Sequence, residues 1–218
     1  MGSAMSAVSV GVSTDGTVVA EAVIGDRGVS VADLLEQAAA HSAGLVWAHG
    51  GDLDSAGFTR VRGYIRLHAD QPSHAGLAQP GGSVLAEIVE TTVEPGLRTD
   101  AYLGAWGHKR VAGAEAAQWN AEMTASGRVT LGLVEHGQLI GLCDVFLVQR
   151  LVDGPGVVQP FRTAWRKSQL VAAACALLGP GPVDLDTWGE DSDALAAYRL
   201  RGFEIEAEDA GWELRVLR

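Results

Sequence analysis

The sequence predicts an α/β fold built twice over, and three observations carry that prediction. A two-stranded β pattern recurs at an offset of 121 positions, from Val8 to Val129. An Ala- and Leu-rich helical run follows each copy, and each half reaches a Gly-Phe pair just before its last strand pattern.

In the first copy, Val8 to Val12 and Thr17 to Val23 are β-prone and flank Asp15-Gly16, a hairpin signature. In the second, Val129 to Leu133 and Gln138 to Leu142 flank His136-Gly137, with Gly11 matching Gly132 and Gly16 matching Gly137. Val31 to Ser42 and Gln169 to Leu178 contain few helix breakers and read as largely buried helices. A short strand follows each, Leu45 to Ala48 and Val183 to Asp186. Glycine and acidic residues then suit a helix start, at Gly50 to Asp54 and at Gly189 to Asp193. Gly57-Phe58 and Gly202-Phe203 lead into the closing strands, Thr59 to Leu67 and Glu204 to Leu217. The unit is therefore hairpin, helix, strand, helix, strand.

The halves differ in length. A stretch rich in Gly, Pro, Ser and His from Ala69 to Ser83 reads as a linker. Beyond it, Val84 to Val93 reads as a strand and Asp100 to Met123 as one or two helices that the first half lacks. The predicted organisation is a truncated domain over 1–70, a linker over 71–83 and a full domain over 84–218.

Composition narrows the function classes. With 47% hydrophobic and 20% charged residues, the chain is neither disordered nor fibrous. A formal net charge of -11 repels phosphate backbones, so nucleic acid is not expected as a partner, whereas a cationic amine is tolerated or attracted. No apolar stretch approaches the ~20 residues that span a bilayer, and the start has no basic-then-apolar leader, so a cytoplasmic protein without a membrane partner is expected. Cys143 and Cys175 lie in apolar runs without metal-ligand spacing, which predicts two buried thiols and no metal site.

The element order in 84–218, together with Asp191, Ala194, Tyr198, Gly202 and Phe203, resembles the GNAT superfamily of acyl-CoA-dependent N-acyltransferases. Those residues fit the family pattern N-x-x-A-x-x-x-Y-x-x-x-G-F except at its first position, where Asp191 replaces Asn. Leu45 to Leu67 is similar to the end of the first domain in mycothiol synthase and related actinobacterial tandem GNAT proteins. The resemblance implies a tandem GNAT fold, acetyl-CoA as co-substrate and a small-molecule amine as acceptor. A second copy of the chain, as a homodimer, is a further candidate partner.

In the family a loop of the form R/Q-x-x-G-x-G/A closes on the CoA pyrophosphate, its backbone N–H groups gathered at a helix N-terminus. The corresponding residues here run from Val157 to Ser168, with Arg162 at the basic position and Trp165 and Lys167 where the glycines belong. The resemblance places cofactor contacts at Val158, Arg162, Thr163, Arg166, Lys167, Ser168 and Asp191, with three cations replacing some of the lost backbone contact. A solvated basic helix start is the competing explanation of that charge. Gly25 to Ser30 is a shorter, acid-bearing counterpart in the first half, where no cofactor is expected.

The family role of Tyr198 is proton donation to the departing CoA thiolate, which a phenol with a pKa near ~10 can perform at neutral pH; packing is the alternative. For the general base, Glu122, Glu135, Asp144 and His108 are candidates. Asp144 leads because it interrupts the apolar run from Leu139 to Val148, and a charge there needs a reason, either catalysis or an outward-facing strand position. Trp106 and Trp119 fall where the family builds its acceptor wall, although aromatic residues at helical spacing are more often core. The missing loop glycines leave two other functions open: a non-catalytic binding protein of the same fold, and an enzyme of this fold whose reaction needs no CoA.

Overall fold

The computed structural model describes residues 8–12, 16–25, 28–74, 87–91, 97–98, 101, 121, 128–188 and 192–216. Of these, residues up to 64 together with 208–216 form one compact unit, and those from 65 to 207 form the other. Asp191, Trp106, His108, Trp119 and Glu122 lie outside the described residues, as do most of the linker and of the helices expected over Asp100 to Met123.

The first unit contains β1 (Ser9–Val12), β2 (Val18–Val23), α1 (Val31–Ala40) and β3 (Leu45–His49). It also holds the first part of β4 (Thr59–Ala69) and the last part of β10 (Glu204–Arg215). β1 and β2 are antiparallel, as their hairpin signature predicts, and β2 and β3 are parallel, joined by α1. Gly211 to Arg215 of β10 pair antiparallel with β3, so the end of the chain completes this unit. β3 is buried along its whole length, which explains a strand without polar alternation. Leu34, Val46, Phe58 and Trp212 meet in its core, and the Trp212 indole N–H donates to the Gly51 carbonyl at 3.2 Å. The helix expected after Gly50 to Asp54 is only a 3-10 turn, Asp54–Ala56, stopped by Gly57 at φ 81°.

The second unit contains β5 (Glu87–Glu90), β6 (Val129–Glu135), β7 (Gln138–Phe146) and β8 (Leu151–Val157). α2 (Ala164–Leu178), β9 (Val183–Trp188) and α3 (Ser192–Arg199) complete it. Its strands run in the order β4-β9-β8-β7-β6-β5. His136 and Gly137, both at positive φ, turn β6 into β7 as the sequence predicts. One face of the sheet packs on α2 and α3 through Leu67, Leu185, Val152, Leu170 and Phe203. No described helix is long and apolar enough to cross a membrane.

β8 was not anticipated, and it changes the register of the repeat. Gly154-Pro155-Gly156 reads as a turn, yet the strand is paired on both sides. The proline is accommodated because the β7/β8 register shifts by one residue between Leu142 and Asp144, a bulge in which Gly154, at φ 39°, and Pro155 of β8 stand opposite the single residue Cys143 of β7. The strand that feeds the crossover helix is β2 in the first unit and β8 in the second. By topology β1 and β2 therefore correspond to β7 and β8, and the offset of 121 aligns the hairpins one strand out of step.

Candidate functional site

β8 and β9 are parallel and registered through Leu151/Asp184, Val152/Leu185 and Asp153/Asp186. Both strands continue, to Val157 and Trp188, with no further pairs between them among the described residues. The carboxyl ends of two parallel strands thus part beyond Asp153 and Asp186, and such a crevice is where ligands enter open α/β sheets. β7 has no part in this crevice, because β8 lies between it and β9.

From the parting strands the chain reaches α2. Val158 keeps its N–H on the Ile140 carbonyl at 2.9 Å, and Phe161 N–H turns back to the Val158 carbonyl at 2.9 Å. Thr163 is the exposed, extended N-cap, its hydroxyl accepting from Arg166 N–H at 3.3 Å. The first turn of α2 carries no acid.

The cations assigned to phosphate binding are largely engaged with the protein. Arg166 forms a two-pronged ion pair with Glu135, both contacts at 2.7 Å, and this hydrogen bonding raises the Arg166 pKa. Arg162 donates to the Val157 carbonyl at 3.0 Å and to that of Ala101 at 3.4 Å. Lys167 is buried, and Ser168 is buried with its hydroxyl accepting from Arg201 at 2.6 Å. The picture of three free side-chain charges crowding the loop therefore needs correction. Arg166 locks α2 to the end of β6, and the buried carboxylate of Glu135 supplies the reason.

Asp144 has neither of the expected environments. Its side chain is 0% exposed, and it accepts from Arg98 and from the Thr130 hydroxyl, with Arg128 at 3.7 Å. A buried carboxylate held in this way is a structural acceptor, which is the reason a charge interrupts the apolar strand.

Asp144 belongs to a polar row across the sheet. Thr130 is registered opposite Asp144, Asp144 opposite Asp153, and Asp153 opposite Asp186. Directly opposed residues share a face, so β6, β7, β8 and β9 each place one polar side chain in this row. Arg66 of β4 closes it with paired contacts to Asp186, both at 2.8 Å. One step along the same face, His68 meets Asp184 at 2.7 Å, which raises the His68 pKa. In Val183 to Asp186 the alternation was visible in the sequence; Asp153 was hidden by the turn-like residues after it.

Asp153 differs from its neighbours in the row. Its side chain is 34% exposed, against 0% for Asp144 and 12% for Asp186. Burial, then the nearby Asp144, raise its pKa to about 6, against the opposing pull of Arg128.

Tyr198 lies on α3 after β9, as the sequence predicts, but it is completely buried in the core with Phe203, Leu185 and Leu170. Ala194, Leu195, Ala197 and Tyr198 make up the buried face of α3. Cys143 and Cys175 are buried free thiols as expected, and burial pushes the pKa of Cys175 up to about 12.

The fold is shared with several solved structures. A conserved protein of unknown function from Enterococcus faecalis V583 is similar with a TM-score of 0.62 at 10% identity, over 96% of this chain and 58% of that one. A GCN5-related N-acetyltransferase from Anabaena variabilis ATCC 29413 is similar with a TM-score of 0.54 at 10% identity, over 94% and 57%. A tandem GNAT protein from the clavulanic acid biosynthesis pathway is similar with a TM-score of 0.51 at 17% identity, over 84% and 68%. No family model matches the sequence, and no curated protein matches it. At these identities the likeness is one of fold, and the chain has the mixed α/β fold of the GNAT acetyltransferases.

Proposed function

We propose that the second unit is an acyl-CoA-dependent N-acyltransferase for a small-molecule amine, with acetyl-CoA as the donor. The observation that carries this reading is the parting of β8 and β9 immediately before the N-terminus of α2. The thioester enters between the strand ends, and the pyrophosphate rests on the first turn of α2. There the helix dipole favours an anion and no acidic side chain opposes it. Thr163 and the backbone of that turn are the phosphate contacts, with Arg162 beside them. Val158 and the glycines of the β8 bulge line the acyl end. Lys167, Ser168 and Arg166 act by fixing the helix. The amine approaches over the polar row, where acidic side chains suit a cation. Holding both reactants in line is the large contribution, and proton transfer adds a further ~100 to 10,000-fold.

A second reading is favoured by two observations: Arg166 is already occupied by Glu135, and Tyr198 is sealed in the core. In that reading the unit binds a metabolite without transferring an acyl group. Incubation of the protein with acetyl-CoA and a panel of amines, followed by detection of free CoA thiol, separates the two. Amine-dependent thiol release is expected. Binding of acetyl-CoA with no amine-dependent release would leave the binding protein. Unchanged turnover in Tyr198→Phe would remove that side chain as proton donor without touching the rest.

A further inference from the structure

The polar row contains one acid that the fold leaves partly exposed at the place where the strands part. We propose that Asp153 is the general base that removes the proton from the acceptor amine, an inference that rests on the acyltransferase reading.

Three carboxylates stand side by side on one face of β7, β8 and β9, and the protein treats them differently. Asp144 is sealed and held by Arg98 and Thr130. Asp186 is clamped by Nε and Nη2 of Arg66. Asp153, between them, is the most exposed of the three, at 34%, with Arg128 at 3.9 Å. It also occupies the last registered position of β8 against β9, at the mouth of the crevice. The charged groups acting on it are Asp144 from β7, Asp186 from β9, Arg128 before β6, and Arg98, while Arg66 of β4 is held on Asp186. With Asp144 and Asp186 beside it, adding a third negative charge is costly, and burial adds to that cost. The same features that raise its proton affinity make it a stronger base than an ordinary aspartate while leaving it ionised at neutral pH.

The chemistry balances without another reagent. The acceptor arrives as an ammonium ion and transfers one proton to the Asp153 carboxylate. The nitrogen lone pair then forms the C–N bond to the thioester carbonyl. As the tetrahedral intermediate collapses, the C–S bond breaks with its electron pair on sulfur, and the second nitrogen proton ends on the CoA thiolate. Asp153 returns its proton to water.

The test measures kcat/KM against pH for acetyl-CoA with tyramine, spermidine and lysine, in the full chain and in Asp153→Asn and Asp153→Glu. In parallel, carbon NMR follows the aspartate carboxyl titrations, and calorimetry measures acetyl-CoA binding. The expected result is a rising limb with a midpoint that matches the Asp153 titration seen by NMR, at about 6. Asp153→Asn should lose about 100-fold or more of kcat with acetyl-CoA affinity retained, and Asp153→Glu should recover part of it. Full turnover in Asp153→Asn, or an Asp153 titration in the ordinary range near ~4, would overturn the assignment and leave the transferase reading standing. Failure of the unaltered chain to bind acetyl-CoA would remove that reading, and the base with it.

Discussion

The two crossovers, β2 to α1 and β8 to α2, share one topology and differ in whether their strands stay together. In the first unit the parallel register runs from Val19/Leu45 to Val23/His49, the last residues of both strands, and Ile24 N–H continues it onto the His49 carbonyl at 2.8 Å. In the second it stops at Asp153/Asp186 while both strands go on. The difference follows from sequence. β2 (VVAEAV) has no residue that interrupts a ladder, whereas β8 carries Gly154 at positive φ and Pro155, which has no N–H to donate.

The helix starts differ in the same sense. The loop before α1 folds back on its own strand: Val29 N–H reaches the Val23 carbonyl at 2.9 Å, and a Cβ at Gly28 would lie 2.2 Å from that oxygen. Ser30 caps α1 and donates its hydroxyl to Asp33 at 2.6 Å, so an acid already occupies the positive end of that helix. The end of α2 has Thr163 and basic side chains instead. Shared topology provides two crossovers, and only one has both an opening and a helix end suited to an anion.

The largest expected effect tests what holds the open crossover in shape. Arg166→Ala leaves Glu135 buried without its ion-pair partner. The loss should approach ~3 kcal/mol in urea denaturation, the lower end for a broken buried pair because Arg166 is itself 21% exposed. Recovery of most of that stability in Arg166→Met/Glu135→Leu would identify the unpaired carboxylate as the cause. Equal stability of Arg166→Ala and the unaltered chain would show that the pair does not hold the helix.

Much of this architecture was legible in the sequence. His136-Gly137 marked its hairpin, Gly57-Phe58 and Gly202-Phe203 marked where each closing strand begins, and the helical runs marked the start of α1 and the end of α2, which itself begins earlier than expected, at Ala164. What escaped was non-local. β8 is a strand because β7 and β9 pair with it, and nothing in LVDGPGV outweighs its own turn chemistry. Asp144 is neutralised by Arg98, 46 positions away, and Arg166 meets Glu135 across 31. The suitability of Arg166 for phosphate could not be judged without knowing which carboxylate the fold brings to it.

A smaller effect sharpens the comparison of the helix starts. Ser30→Ala and Thr163→Ala each remove an N-cap, and each should cost about 1 kcal/mol of stability. Only Thr163→Ala should also weaken acetyl-CoA binding, by several fold, because its helix end alone meets the ligand. Equal weakening in both variants, measured side by side by calorimetry, would mean that the closed crossover takes part in binding.

The most direct measurement is the stoichiometry of acetyl-CoA binding to the intact chain by titration calorimetry. One equivalent per chain is expected, since the β8/β9 opening stands before a helix end without acid and the β2/β3 pair stays closed before one that carries Asp33. Two equivalents would contradict the distinction between the crossovers, and no binding at high micromolar ligand would contradict the assignment of an acyl-CoA site to the open one.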